Sequence, residues 1–276
     1  PSRSAQNLAS SRTKSIGVVI TDYENLSFVN VLHGLRKVLD PIGYRVLVTD
    51  LHSNPNVPGD AVDALVSMDV EAIVFIVEPG SLNTEGLTVP TIMVGERENL
   101  VLGSDLVFSE DRIGTQLVID HFVKLGHKNI AHLSGLGGIA TNRRKAYIDI
   151  MQERGLPRLV FGERQETNQK GGYQAAKELI DSGKQFTAIY AANDYIAAGA
   201  ISALAEVGRH VPEDVSIIGY DNSPISRDYA MKITTVDDMS YEIGLKAAEL
   251  IIDHIENSAA KKSKRILITP KLIERS

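Results

Sequence analysis

The chain has 276 residues, a formal net charge of −6, 43% hydrophobic residues and no cysteine. This composition supplies a sizeable core and excludes disulfides, thiolate metal sites and cysteine nucleophiles. The negative balance argues against non-specific nucleic-acid binding, which needs a basic face, and no window approaches the roughly 18 apolar residues of a membrane span. The start, Pro1 to Ser15, is polar, lacks an apolar signal region and has no initiator methionine, so a fragment or a processed product is expected.

Short apolar runs alternate with amphipathic stretches along the chain. Ile16–Ile20 reads as a buried strand, and Phe28–Leu39 as a helix with apolar residues at helical spacing. Arg45–Val48, Ala72–Val77 and Thr91–Val94 read as further strands, with a helix over Asp60–Met68. A helix over Asp111–Leu125 stops at Gly126, and the strand Asn129–Leu133 follows. The plan then repeats. Helices are expected over Asn142–Arg154, Tyr173–Asp181, Tyr195–Val207 and Tyr241–Ile255, and strands at Leu159–Phe161, Ala188–Ala192, Val215–Gly219, Ile233–Val236 and Ile266–Thr269. Continuous β-branched strands between helices indicate parallel sheets covered on both faces. The expected fold class is α/β: two doubly wound parallel-sheet lobes with a ligand crevice between them.

Catalytic signatures are scarce. The seven histidines are scattered with no metal-ligand spacing, and neither a nucleophile elbow nor a phosphate loop occurs. The run Gly135-Leu-Gly137-Gly138-Ile-Ala140 fits the dinucleotide pattern, with Glu163 as a distant ribose-binding acid, but a flexible turn between lobes is the stronger reading. The polar residues at strand ends carry more chemistry. Asn193 and Asp194 follow one strand, Tyr220 and Asp221 the next, Asp237 and Asp238 a third, and Arg143 opens a helix. In a parallel sheet these ends converge. Arginine, asparagine and carboxylates offer the fixed donors and acceptors that suit a polyhydroxyl ligand. Helix capping and turns are the other roles open to Asn193 and Asp221.

The run AANDYIAAGAISALAEVGRHVPEDVSIIGYDN (Ala191 to Asn222), with Val118 to Gly135, Ser11 to Asp22 and the ending Ile268 to Ser276, closely resembles the LacI/GalR family of transcription regulators. The resemblance spans essentially the whole chain. It implies the two-lobed fold shared with periplasmic sugar-binding proteins, with crossovers near Ser134–Gly135, Thr235–Asp237 and Lys262–Lys264. The implied division is a hinge segment over 1–14, a first lobe of 15–134 plus about 237–262, and a second of about 135–236 plus 263–276. Pro1, Ala5 and Leu8 resemble the family's hinge segment, whose leucine wedges into the operator minor groove. The helix-turn-helix headpiece is not among these residues, so operator DNA is expected as a partner of the full-length protein only.

Carried over position by position, Arg143, Asn193, Asp221 and Asp238 are the implied effector contacts of the second lobe, and Asn25 and Phe28 those of the first. The first-lobe pattern departs from the family's at Leu26, Ser27, Gly95 and Glu96, leaving Glu96, Arg97 and Asp111 to supply missing contacts. The resemblance thus implies a cytoplasmic, homodimeric repressor core that binds a sugar or sugar-like metabolite, with no catalysis, cofactor or metal. A transport-linked sugar-binding protein and a dinucleotide-dependent enzyme are the alternatives.

Overall fold

A computed structural model of the chain describes residues 12–20, 28–50, 60–76, 86–95, 101, 103–229, 231–257 and 262–275. Ala5, Leu8, Asn25, Glu96 and Arg97 lie outside them. The elements fall into two compact units, each with its own six-stranded sheet.

The first unit holds Phe28–Phe108 and Ser240–Leu267, together with the opening strand. Its elements are β1 (Ser15–Ile20), α1 (Val29–Leu39), β2 (Arg45–Asp50), α2 (Asp60–Ser67), β3 (Ala72–Phe75), β4 (Thr91–Val94) and β5 (Asp105–Ser109). Its sheet runs β11-β5-β4-β3-β1-β2, where β11 (Arg265–Ile268) arrives from the far end of the chain. The central strands β1, β3 and β4 pair in parallel and are almost wholly buried, as their uninterrupted apolar sequences demand.

The second unit contains Ser109–Met239 and the last strand. It comprises α3 (Asp111–Lys124), β6 (Ile130–Leu133), α4 (Gly138–Glu153), β7 (Leu159–Phe161), α5 (Gln169–Asp181), β8 (Ala188–Ala191), α6 (Asp194–Glu206), β9 (Ser216–Tyr220) and β10 (Thr234–Asp237). Then α7 (Ser240–Glu256) and β11 return to the first unit before β12 (Lys271–Ile273) closes the second sheet, in the order β12-β10-β9-β8-β6-β7. Only β12 is antiparallel to its neighbour among the pairings described for this sheet.

The crossovers differ from those expected. β6 pairs with β7 and β8, so Ser134–Gly135 lies inside the second unit and the first crossing falls between Phe108 and Ser109. The second crossing falls after Met239, just beyond the expected Thr235–Asp237. The third moves past Leu267 because β11 completes the first sheet. Asp105 fixes that placement: its buried carboxylate accepts Lys264 N–H at 2.7 Å and meets His254 Nε2 at 2.8 Å, while Leu106 N–H donates to Lys264 O at 2.8 Å. Two strands, β5 and β12, have no counterpart in the sequence reading.

Within the first unit α1 packs on α7 through glycines. A Cβ on Gly34 would stand 2.1 Å from Tyr241 O, and one on Gly244 would stand 2.2 Å from Val31 O. The two backbones meet closely enough that only hydrogen fits between them.

Candidate functional site

The polar cluster sits at the carboxyl ends of β8, β9 and β10 in the second unit. α3 and α4 bring Asp111 and Arg143 to it. Asp111 lies in the first turn of α3, where a carboxylate favours the helix dipole. The turn before α4 needs glycine, since Gly137 takes φ +97. Arg143 follows one helical turn inside α4 and is buried there.

Arg143 is the hub. Its Nε donates to Asp111 Oδ1 at 2.9 Å, and its Nη1 to Asp221 Oδ1 at 2.8 Å and to Ala192 O at 2.6 Å. Its guanidinium lies 3.6 Å from the centre of the Tyr220 ring. Burial alone would lower the arginine pKa, but Asp221 and Asp111 override it and hold the group charged. The two N–H groups on Nη2 and the second oxygen of Asp221 have no hydrogen-bond partner among the described residues.

Asp221 is also conformationally marked. It takes φ +94 and Asn222 φ +46, a region that costs non-glycine residues free energy and that concentrates at binding sites. Neighbours hold the turn in place. Asp221 N–H donates to Val236 O at 2.8 Å, Asn222 Nδ2 to Asp237 Oδ2 at 2.8 Å, and Arg275 Nη2 to Asn222 Oδ1 at 2.6 Å. Asp194 lies beneath the turn, fully buried. It accepts from Ser223 N at 2.7 Å, Ser223 Oγ at 3.0 Å and Thr235 Oγ1 at 2.6 Å. Burial, then repulsion from Asp221, pushes its carboxyl up to about 7 against the pull of those three hydrogen bonds.

The structure therefore joins Arg143 to Asp221 directly and adds Asp111. Asp238 follows β10 and is half-buried, near enough to Tyr220 to help keep that hydroxyl protonated, behind the larger effects of burial and Asp111. Asn193 is the N-cap of α6: its Oδ1 accepts Ile196 N–H at 2.8 Å and its Nδ2 donates to Thr167 O at 2.9 Å. Its capping alternative thus describes what the side chain does in this structure. Phe28 stands at the N-terminal boundary of α1 in the first unit, buried. Glu163, the acid invoked for a dinucleotide, pairs with Arg144 at 3.4 Å. Among the described residues no group of three or more His, Asp or Glu side chains forms a metal site. No helix among them is long and apolar enough to cross a membrane.

Sequence reasoning named Asp111 only as a replacement contact and Asp194 only as a strand-end acid, and missed that Asp111 pairs with Arg143 and that Asp194 is held by Ser223 and Thr235. Asp111 is 32 residues from its arginine and reads locally as a helix-start acid. Asp194 follows a cap residue and reads as a first-turn acid, although its partners are 29 and 41 residues away.

Doubly wound parallel sheets with charged groups gathered at their carboxyl ends are the architecture of periplasmic binding protein-like domains, and the model of that domain matches residues 119–276. An HTH-type transcriptional repressor, PurR of Histophilus somni, is 30% identical over all of this chain and 84% of its own length. A LacI-family transcriptional regulatory protein from Corynebacterium glutamicum superposes with a TM-score of 0.84 at 32% identity, covering 96% of this chain and 98% of its own. A LacI-family regulator from Enterococcus faecium with bound ribose superposes at 0.82 with 24% identity, over 95% and 97% of the two chains. The chain belongs to the LacI family of transcription regulators.

Proposed function

We propose that the chain is the effector-sensing core of a cytoplasmic, homodimeric repressor, and that its effector is a small polar metabolite of the sugar class held by Arg143 and Asp221. The observation that carries the reading is the buried Arg143–Asp221 pair, 2.8 Å apart, on a backbone turn held at positive φ. A bidentate ligand hydroxyl pair satisfies the free Nη2 donors and the free Asp221 oxygen together, and a ligand lacking one hydroxyl leaves a buried polar group unpaired. In this reading Asp238, the residue after β10, adds a further acceptor. The regulatory step is differential affinity of the ligand for two conformations of the core, which is felt reciprocally by operator DNA in the full-length protein.

The test is a thermal-shift screen against pentoses, hexoses, polyols and nucleosides. A ligand at about 100 times its dissociation constant stabilises the native state by roughly 2.7 kcal/mol. A hit that Asp221→Asn abolishes supports the reading, whereas a panel with no hit refutes a sugar-class effector. Coupling is tested in the full-length protein, where equal ligand affinity with and without saturating operator would sink it.

A further inference from the structure

A second cluster of polar groups gathers in the first unit, at the amino ends of β1, β2 and β3. Arg12 Nε and Nη2 donate to Glu71 Oε2 at 3.1 and 3.0 Å, and Nη2 also donates to Tyr44 Oη at 2.6 Å. Tyr44 Oη in turn donates to the same Glu71 oxygen at 2.9 Å. The other oxygen of Glu71 accepts Lys14 N–H at 2.8 Å. Thr13 Oγ1 donates to Asp69 O at 2.6 Å, and Lys14 Nζ to Ile42 O at 3.1 Å. The main chain is committed as well: Arg45 N–H donates to Lys14 O and Glu71 N–H to Ser15 O, both at 2.8 Å. Tyr44 immediately precedes β2 and Glu71 immediately precedes β3, the two strands that flank β1 in the sheet. Residues 12–14 are therefore held from both sides just before the chain enters β1.

Backbone strain and burial set this arrangement apart from an ordinary surface ion pair, which contributes little. Lys14 is held at φ +51, and Asp69, whose carbonyl takes the Thr13 hydroxyl, at φ +52. Non-glycine residues persist in that region only where neighbours over-determine them. The Glu71 side chain is only 15% exposed. Burial alone would raise its carboxyl, but the bonds from Lys14, Tyr44 and Arg12 hold it below its ordinary value. Burial and Glu71 push the Tyr44 hydroxyl up to about 12, so it remains a donor. Resting on the function proposed above, we propose that Arg12, Tyr44 and Glu71 are a clasp that fixes the direction in which the chain enters β1, and that operator binding by the full-length protein depends on that fixed entry. A joint free to turn at residues 12–14 has to be ordered at every encounter with DNA, and the entropy lost there is subtracted from affinity. A joint already held by the clasp is ordered before DNA arrives.

The experiment has two arms. The first follows tryptic cleavage after Arg12 and Lys14 in the 276-residue chain by mass spectrometry. Glu71→Gln keeps an acceptor for Lys14 N–H but turns an uncharged amide toward Arg12, and Tyr44→Phe removes the hydroxyl that joins the pair. Both variants are expected to be cut at these two sites about tenfold faster than the parent, with melting temperatures within a few degrees of it. Equal rates would overturn the clasp. Faster cutting throughout the chain with a fallen melting temperature would mark a merely structural role and overturn it too. The second arm takes the full-length protein and a DNA site that the parent selects from random duplexes. Glu71→Gln is expected to weaken binding of that site about tenfold, and Tyr44→Phe about threefold. Unchanged affinity in both variants would overturn the proposal while leaving the repressor reading intact. Failure of the parent to select any sequence would overturn the repressor reading and this proposal with it.

Discussion

Removing the guanidinium of Arg143 without removing its bulk isolates what the charge contributes. In Arg143→Met the two carboxylates of Asp111 and Asp221 remain, both buried, each deprived of its 2.8–2.9 Å partner. Ala192 O also loses its donor. Breaking a buried ion pair from one side costs about 3–5 kcal/mol, because an uncompensated charge stays behind. For a unit of this size that is a melting-temperature drop of roughly 10 °C. The two carboxylates left behind repel one another across the space that the guanidinium filled. A triple variant with Asp111→Asn and Asp221→Asn recovers much of the stability, as paired removal of buried charges generally does. Calorimetric melts of the three proteins at pH 7 make the measurement. Equal melting temperatures for Arg143→Met and the parent at pH 7 would refute the view that the cluster is electrostatically locked.

Further outcomes follow from the same coordinates. The Tyr220 hydroxyl is buried with no hydrogen-bond partner among the described residues, so Tyr220→Phe, which keeps the ring under Arg143, should raise stability by about 1 kcal/mol, read by urea melts. Asp194 retains its proton to about 7 in the folded chain against an ordinary value of 3.8. Its contribution is full below pH 4 and is lost as pH rises to 7, because only the unfolded chain releases the proton easily over that range; Asp194→Asn should flatten this part of the stability profile. Asn193→Ala removes the cap on Ile196 N–H and the bond to Thr167 O and should cost about 1–2 kcal/mol, with retained stability counting against the capping role. Gly34→Ala drives a methyl against the Tyr241 carbonyl and should cost about 1–3 kcal/mol in thermal melts.

The parallel-sheet plan was legible because β1, β3, β4, β8 and β9 are almost wholly buried and read as largely apolar runs. β5 was not, because it opens on Asp105, a residue that propensity keeps out of strands and that His254 and Lys264 make tolerable from 149 and 159 residues away. β12 is three residues long with charged flanks, and only pairing with β10 makes it a strand. The early start of α5 was readable in principle: Asn168 Oδ1 caps Gly171 N–H at 2.9 Å, an Asn placed three residues before its target. At the site, Arg143, Asp194 and Asp221 were named from their places at strand ends, and Arg143 and Asp221 again through the resemblance, whereas the pairings of Asp111 and Asp194 depend on partners that folding delivers. Local patterns locate strand ends well. They do not reveal which of several aspartates at those ends will share an arginine.

The order in which the chain is threaded through its two sheets has a consequence for biosynthesis. The second unit is nearly one continuous stretch, Ser109–Met239, and lacks only the short edge strand β12. The first unit is split: β1 to β5 emerge early, yet α7 and β11, which cover α1 and finish the sheet, lie within Ser240–Leu267. On the ribosome β1 to β5 must therefore wait, with the α1 face around Gly34 uncovered and β5 unpaired at its outer edge, until α7 and β11 have been made. Long-range closure of this kind is slow and leaves apolar surface open to wrong partners. Of the two units, the later-made one is thus able to fold as it appears, and the one begun earlier is completed last.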